Sequence, residues 1–178
     1  MTDHARIRPA RAEDLPAILA LNDAAIPHVS AIKQSPLDGP KAGENIFLAA
    51  IRDERPVGFL LAMTPDADYD SPNFLWFRER GRDLLYVDRI VVEPGLRGSG
   101  IGRRLYACAA AMAPKHLVRI GCEVNLQPPN PESLRFHTRI GFREVGRQAF
   151  VPGEKEVVYL ACEGERLVAL KTAADSTP

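Results

Sequence analysis

Arg89-Ile90-Val91-Val92-Glu93-Pro94-Gly95-Leu96-Arg97-Gly98-Ser99-Gly100-Ile101-Gly102-Arg103-Arg104-Leu105 is the stretch on which the fold turns. Its apolar run through Val92 is strand-like, and Pro94-Gly95 punctuates a turn. Gly98, Gly100 and Gly102 bring no side chains. Beyond them Ile101, Leu105, Cys108 and Met112 recur at helical spacing, and Pro114 stands near the end of the run. Strand, tight turn, helix is the reading. Such a turn suits an anion. The first amides of a helix have no internal partner, its dipole adds partial positive charge, and missing side chains permit close approach. Arg97 and Arg103 offer charge-assisted contacts to phosphate oxygens. The stretch predicts a ligand carrying a pyrophosphate.

Two common phosphate loops do not fit. A P-loop ends in Gly-Lys-Ser/Thr, whereas this one ends Gly102-Arg103-Arg104. A dinucleotide turn needs G-x-G-x-x-G after the first strand, whereas this spacing is G-x-G-x-G in mid-chain.

Upstream, Leu84 to Val92 forms one apolar strand, a pattern of burial on both faces. Tyr86 and Asp88 interrupt it two residues apart, hence on one face. Leu117 to Asn125 is a further strand, and strand–helix–strand predicts a parallel, right-handed crossover. Before this unit, Ile46–Ile51 and Val57–Ala62 form a hairpin about Asp53-Glu54-Arg55-Pro56. A short strand near Ile7 precedes a helix with Leu15, Ile18, Leu19 and Ala25 on one face. The connection from Pro27 to Asn45, holding Pro36, Gly39, Pro40 and Gly43, reads as irregular. Thr64 to Asp83 contains a short helix, with Ser71 as N-cap, Pro72 in its first turn and Gly81 near its end. After the crossover, Asn130 caps a helix opened by Pro131 and ended by Gly141, and two strands follow around Pro152-Gly153.

The 178 residues suit one domain with a real core. Lysine plus arginine (23) balance aspartate plus glutamate (23), which gives no argument for nucleic acid or a membrane surface. Cys108, Cys122 and Cys162 are too scattered for a metal site and odd in number for a disulfide framework. No signal core or spanning run is present, so the cytoplasm is the expected compartment.

Arg97-x-x-Gly100-x-Gly102 after a strand ending Val-x-Pro resembles the acyl-CoA loop of the GNAT superfamily of N-acyltransferases. Asn130-x-x-Ser133-x-x-Phe136-His137-x-x-x-Gly141-Phe142 resembles a second motif of the same superfamily, and Arg8-x-Ala10-x-x-x-Asp14 resembles its opening. The resemblance covers roughly Ile7 to Leu160. It implies an α/β (α+β) fold: a mixed, mostly antiparallel sheet of about seven strands, flanked by helices, with a V-shaped splay between strands 4 and 5. Residues 1–163 are expected as a single domain and 164–178 as a C-terminal tail.

The implied activity is transfer of an acyl group, usually acetyl, from acetyl-CoA to a primary amine of a small molecule or peptide, without a metal. A homodimer is open. Ile90, Val91 and Val92 would pair with the pantetheine arm. Arg97, Gly98, Ser99, Gly100, Ile101, Gly102 and Arg103 would hold the pyrophosphate, and Asn130, Ser133 and Phe136 would line the arm. The superfamily often has Tyr where this chain has His137. His137 is therefore a candidate acid for the leaving thiolate, or a packed residue. Asp88 is the first candidate base, unless it pairs with Arg89; Glu123 is the second and Tyr86 the third. Phe74, Trp76 and Phe77 lie where the superfamily keeps a short turn, and either wall an acceptor pocket or extend the core. The other readings are an acyl-CoA sensor without turnover and a nucleotide-binding α/β protein.

Overall fold

The computed structural model describes residues 5–33, 35–37 and 44–175, with side chains to residue 170. Gly39, Pro40 and Gly43 of the irregular connection lie outside the described residues. Seven strands form one sheet in the order β1-β2-β3-β4-β5-β7-β6. They are β1 (Arg6–Pro9), β2 (Asn45–Arg52), β3 (Arg55–Met63), β4 (Leu84–Val92), β5 (Arg119–Gln127), β6 (Arg143–Val151) and β7 (Lys155–Glu163). The helices are α1 (Leu15–Ala24), α2 (Pro72–Arg78), α3 (Ile101–Met112), α4 (Pro131–Ile140) and α5 (Gly164–Asp175).

The β4–β5 pair is parallel and every other pairing is antiparallel. Both faces of the sheet are covered, so β4 is apolar on both, as its sequence implied. One apolar layer joins Leu85, Val87, Leu105, Tyr106 and Leu160 beneath α3. The other joins Ile18, Phe59, Phe74, Phe77, Tyr86 and Tyr159 beneath α1 and α2.

Two irregularities in β4 shape the site. It pairs with β5 only from Leu84–Arg119 to Tyr86–Gly121, after which the strands part. This is the expected splay, and it leaves the β4 edge from Val87 to Val92 without a partner strand. On the other side Leu61 faces Arg89 and Ala62 faces Val87, so Asp88 is an extra residue, a β-bulge.

The caps follow the sequence closely. Asn130 accepts a hydrogen bond from the Ser133 amide (3.2 Å), and Gly141 ends α4 at φ +109°. Three readings are corrected. Leu19 is exposed, because the buried stripe of α1 runs through Ile18 and Asn22. Helix α2 ends at Arg78, before Gly81, and Ser71 makes no side-chain cap. The expected tail from residue 164 is helix α5, whose Leu167 is fully buried and whose Leu170 packs on the core beside it. Two leucines at helical spacing supply the apolar face that a frayed end would lack.

Candidate active site

The glycine loop is built for close approach. Gly98 (φ +82°) and Gly100 (φ +86°) adopt a left-handed backbone that side chains disfavour. A Cβ at Gly98 would touch nothing within 4 Å, so this surface is open. Among the described residues, the amides of Gly98, Gly100, Ile101, Gly102 and Arg103 donate to no carbonyl. The Arg103 Nε is buried without a hydrogen-bond partner, and its guanidinium approaches Gly100. Free amides, a helix start and an orphaned cationic donor fit a pyrophosphate.

Other loop residues serve the loop itself. Arg97 pairs with Glu132 across 2.8 Å at the surface, latching the loop to the start of α4 instead of reaching inward. Ser99 Oγ donates to the Leu96 carbonyl (2.6 Å). The Ile101 side chain is core, which leaves only its amide for a ligand. A Cβ at Gly102 would stand 3.0 Å from Phe136 Cζ, so this glycine lets Phe136 pack on α3. Phe136 also rests beside Tyr106, with ring centroids 6.2 Å apart. Val91 is buried on the α1 side, while Ile90 and Val92 pack toward α3 on the unpaired edge.

Glu123 sits two residues beyond the last β4–β5 pair, at the fork of the splay. The Tyr86 hydroxyl donates to its Oε2 at 2.8 Å. Desolvation, with help from the nearby Asp88 charge, raises the Glu123 carboxyl to about 8. Burial pushes the Tyr86 phenol well up. Asp88 is placed differently. Its Oδ2 accepts from Arg89 Nε (2.6 Å) and its Oδ1 from the Tyr69 hydroxyl (2.6 Å). The Asp88 and Arg89 side chains are only 6% and 7% exposed. The bulge turns these consecutive residues to the same side, and the ion-pair alternative to the base reading is what the geometry shows. Arg89 also donates to Asn22 Oδ1 (2.9 Å) and the Ser30 carbonyl (2.7 Å), clamping α1 and the loop after it to β4.

His137 is 2% exposed, among Tyr106, Phe136 and Phe142. Its Nδ1 is 2.8 Å from the Ser133 carbonyl, which can only accept, so Nδ1 carries the proton. Nε2 then accepts from the Tyr106 hydroxyl at 2.8 Å. Burial lowers His137 to about 4. A neutral ring with both nitrogens engaged is a packing element, and the expected acid role finds no geometric support. Ser133 flanks this cage, its Oγ 3.3 Å from Nδ1, and the Asn130 oxygen serves the cap.

The aromatic insertion is mostly core. Phe74 and Phe77 are buried against Tyr86. Trp76 stacks on Tyr159 at 4.0 Å and fills the space above Gly146, where a Cβ would come within 2.5 Å of the indole. Sequence reasoning passed over Tyr69, which bonds Asp88, Tyr159, which pairs with Glu123 across β5 and β7, and Asn73 and Gln148, which bond Tyr159. No motif marks them, because they converge from the insertion and the last two strands.

No helix is long and apolar enough to cross a membrane, and no three His, Cys, Asp or Glu side chains gather as a metal site, both among the described residues.

Comparison with known proteins agrees with this geometry. The peptidyl-lysine N-acetyltransferase YjaB of Salmonella typhimurium is 26% identical over 102 residues, covering 57% of this chain; the chain spans about half, 52%, of that relative. The crystal structure of a ribosomal-protein-alanine N-acetyltransferase from Brucella melitensis superposes with a TM-score of 0.63 at 23% identity, over 89% of this chain and 99% of that one. A Bacillus anthracis structure in complex with acetyl coenzyme A gives 0.65 at 16% identity, over 89% and 98%. The family model described as "Acetyltransferase (GNAT) family" matches residues 15–142, the span that holds the glycine loop, the parted strands and the capped helix α4. This chain belongs to the acetyltransferase (GNAT) family.

Proposed function

We propose that the protein transfers an acetyl group from acetyl-CoA to a primary amine of a peptide or small molecule, by direct attack in a ternary complex, with Glu123 as general base. The observation that carries this reading is the Glu123 carboxyl, held by the Tyr86 hydroxyl at 2.8 Å, two residues past the last β4–β5 pair at the fork of the parted strands; burial raises it to about 8. Acetyl-CoA would supply the acyl group as a thioester: the amine nitrogen bonds the carbonyl carbon, the C–S bond breaks, and the CoA thiolate leaves and takes up, through water, the second proton that the nitrogen loses as the amide forms. The amides at the start of α3, with Arg103, hold the pyrophosphate. The unpaired β4 edge receives the arm and offers amides to the carbonyl oxygen as charge develops there.

Glu123 removes the proton that blocks the amine lone pair, directly or through one water. An alkyl ammonium has a pKa near ~10.4. Transfer to a carboxylate near 8 is uphill by about 2 units, against about 6 for an ordinary aspartate. Tyr86 holds Oε2, and Asp88 keeps a negative potential near the arriving cation. The YjaB relative and the neighbour solved with acetyl coenzyme A support the reaction class and donor.

The test is Glu123→Gln, assayed as CoA thiol release against a panel of peptide and small-molecule amines. Turnover should fall by roughly the 10²–10⁴-fold of a lost general base, with CoA affinity unchanged by calorimetry. Turnover within a few-fold of wild type would remove Glu123 from this role. In wild type, kcat/KM should rise with pH through about 8, because only the ionised carboxylate accepts the proton.

A further inference from the structure

Helix α2 and the turn after it cover a cavity at the end of the sheet where β4 and β5 still pair. Its volume is about 200 Å³, and Trp76, Phe77, Arg80, Leu84, Arg119 and Ala161 line it. Arg119 pairs with Leu84 and stands four residues before Glu123, about 13 Å along the strand. Two close fits wall the cavity off from the fork. Phe77 lies over Gly121, where a Cβ would stand 2.7 Å from its ring, and Trp76 stacks on Tyr159 at 4.0 Å.

The charged side chains of the lining are both arginines, and each is held in place. The Arg80 guanidinium lies 3.9 Å from the centre of the Trp76 ring, and its Nη1 donates to the Trp76 carbonyl at 2.8 Å. Arg119 gives Nε and Nη2 to Asp83 at 3.0 and 2.7 Å. Glu163 faces Arg119 across the β5–β7 pair, while the ion pair that Arg119 makes is with Asp83. Among the described residues, Arg80 Nε and Nη2 and Arg119 Nη1 donate to nothing, so both side chains keep free N–H groups.

We propose that this cavity binds a small carboxylate carrying a single aromatic ring, at a site separate from acetyl transfer. The carboxylate takes the free N–H groups of Arg80 and Arg119, and the ring packs on Leu84, Ala161 and the indole. Guanidinium groups already fixed by stacking and pairing lose little freedom when a ligand arrives. An apolar cavity of about 150 Å³ holds benzene, so about 200 Å³ leaves room for one ring and its carboxylate.

Trp76 is the one tryptophan of the chain, so its fluorescence reports on the cavity. The probe is phenylacetate, titrated into the full chain with and without CoA and followed in parallel by calorimetry. Binding should saturate, with a midpoint at about millimolar concentration, and CoA should not displace it. Phenylacetamide and phenethylamine, which keep the ring without the anion, should bind at least about tenfold more weakly. Arg80→Gln and Arg119→Gln should each weaken phenylacetate by about tenfold. Val145, exposed at the rim, offers a variant that leaves both arginines intact: Val145→Glu brings a like charge and should weaken binding similarly. Should Arg119→Gln fail to fold without its Asp83 pair, the exposed positions Arg80 and Val145 carry the test. Absence of saturable binding, equal affinity for phenethylamine, displacement by CoA, or unchanged affinity in folded Arg80→Gln and Val145→Glu overturns the proposal.

Discussion

Glu123 and His137 are both strongly shifted titratable groups, and burial moves both toward the neutral form. Glu123 rises to about 8 and His137 falls to about 4. Their surroundings differ in kind. Glu123 stands two residues past the last β4–β5 pair, half-buried, with its Oε2 held by the Tyr86 hydroxyl. His137 is sealed by three aromatic rings and gives its one proton to a helix carbonyl. A shifted pKa marks a functional group only where geometry gives the proton somewhere to go.

His137→Ala presses hardest on this contrast outside the Glu123 turnover test. It should cost about 2–4 kcal/mol of stability, through the emptied cage and the stranded Tyr106 hydroxyl. Turnover per folded molecule should stay within a few-fold. The unfolded ring binds a proton below about 6.5 and the folded one only near 4, so wild-type stability should fall as pH drops through that window. Denaturant melts at both ends of the window should show this slope in wild type and not in the variant. A large loss of kcat in folded His137→Ala, with the alkaline limb of its pH profile gone, restores the histidine as an acid.

Asp88→Asn comes next. If Asp88 only holds Arg89 and Tyr69 and lends charge, turnover should drop by about tenfold, short of the 10²–10⁴-fold of a lost base. A loss equal to that of Glu123→Gln would make Asp88 the base. The smallest effect is thermal. Glu123 binds its proton more tightly when folded, so it favours the native state below the ordinary glutamate range, and this contribution is lost as pH rises through about 8. Glu123→Gln should therefore melt higher than wild type at pH 9 and show no such gain at pH 4. Parallel melting curves at both pH values would mean that the carboxyl is not perturbed.

The elements that announced themselves in sequence were those with local causes. The glycine loop, the Asn130 cap, the Gly141 stop and the hairpin follow from backbone chemistry within a few residues. The splay came from resemblance alone, since nothing in Leu84 to Val92 says where pairing stops. The sequence ranks Asp88 above Glu123 as base, and the proposed mechanism reverses that order, because Arg89 curls back on Asp88 and Tyr69 reaches it from the insertion. Arg97 and Gly102 show the same limit. Both stand in the expected motif, yet one is held by Glu132 and the other is explained by Phe136, partners more than thirty positions away.

The bulge at Asp88 works as a change of parity. Below it Leu85 and Val87, odd-numbered, point to the α3 layer; above it Ile90 and Val92, even-numbered, do so. One uninterrupted strand thus reads as two strands of opposite phase joined at a single residue. Were Asp88 drawn into regular alternation instead of bulged, the upper half would turn over, sending the Arg89 guanidinium into the apolar layer under α3 and Ile90 toward Asn22 and Ser30. The clamp of Arg89 on α1 and the loop after it depends on that one uncounted position.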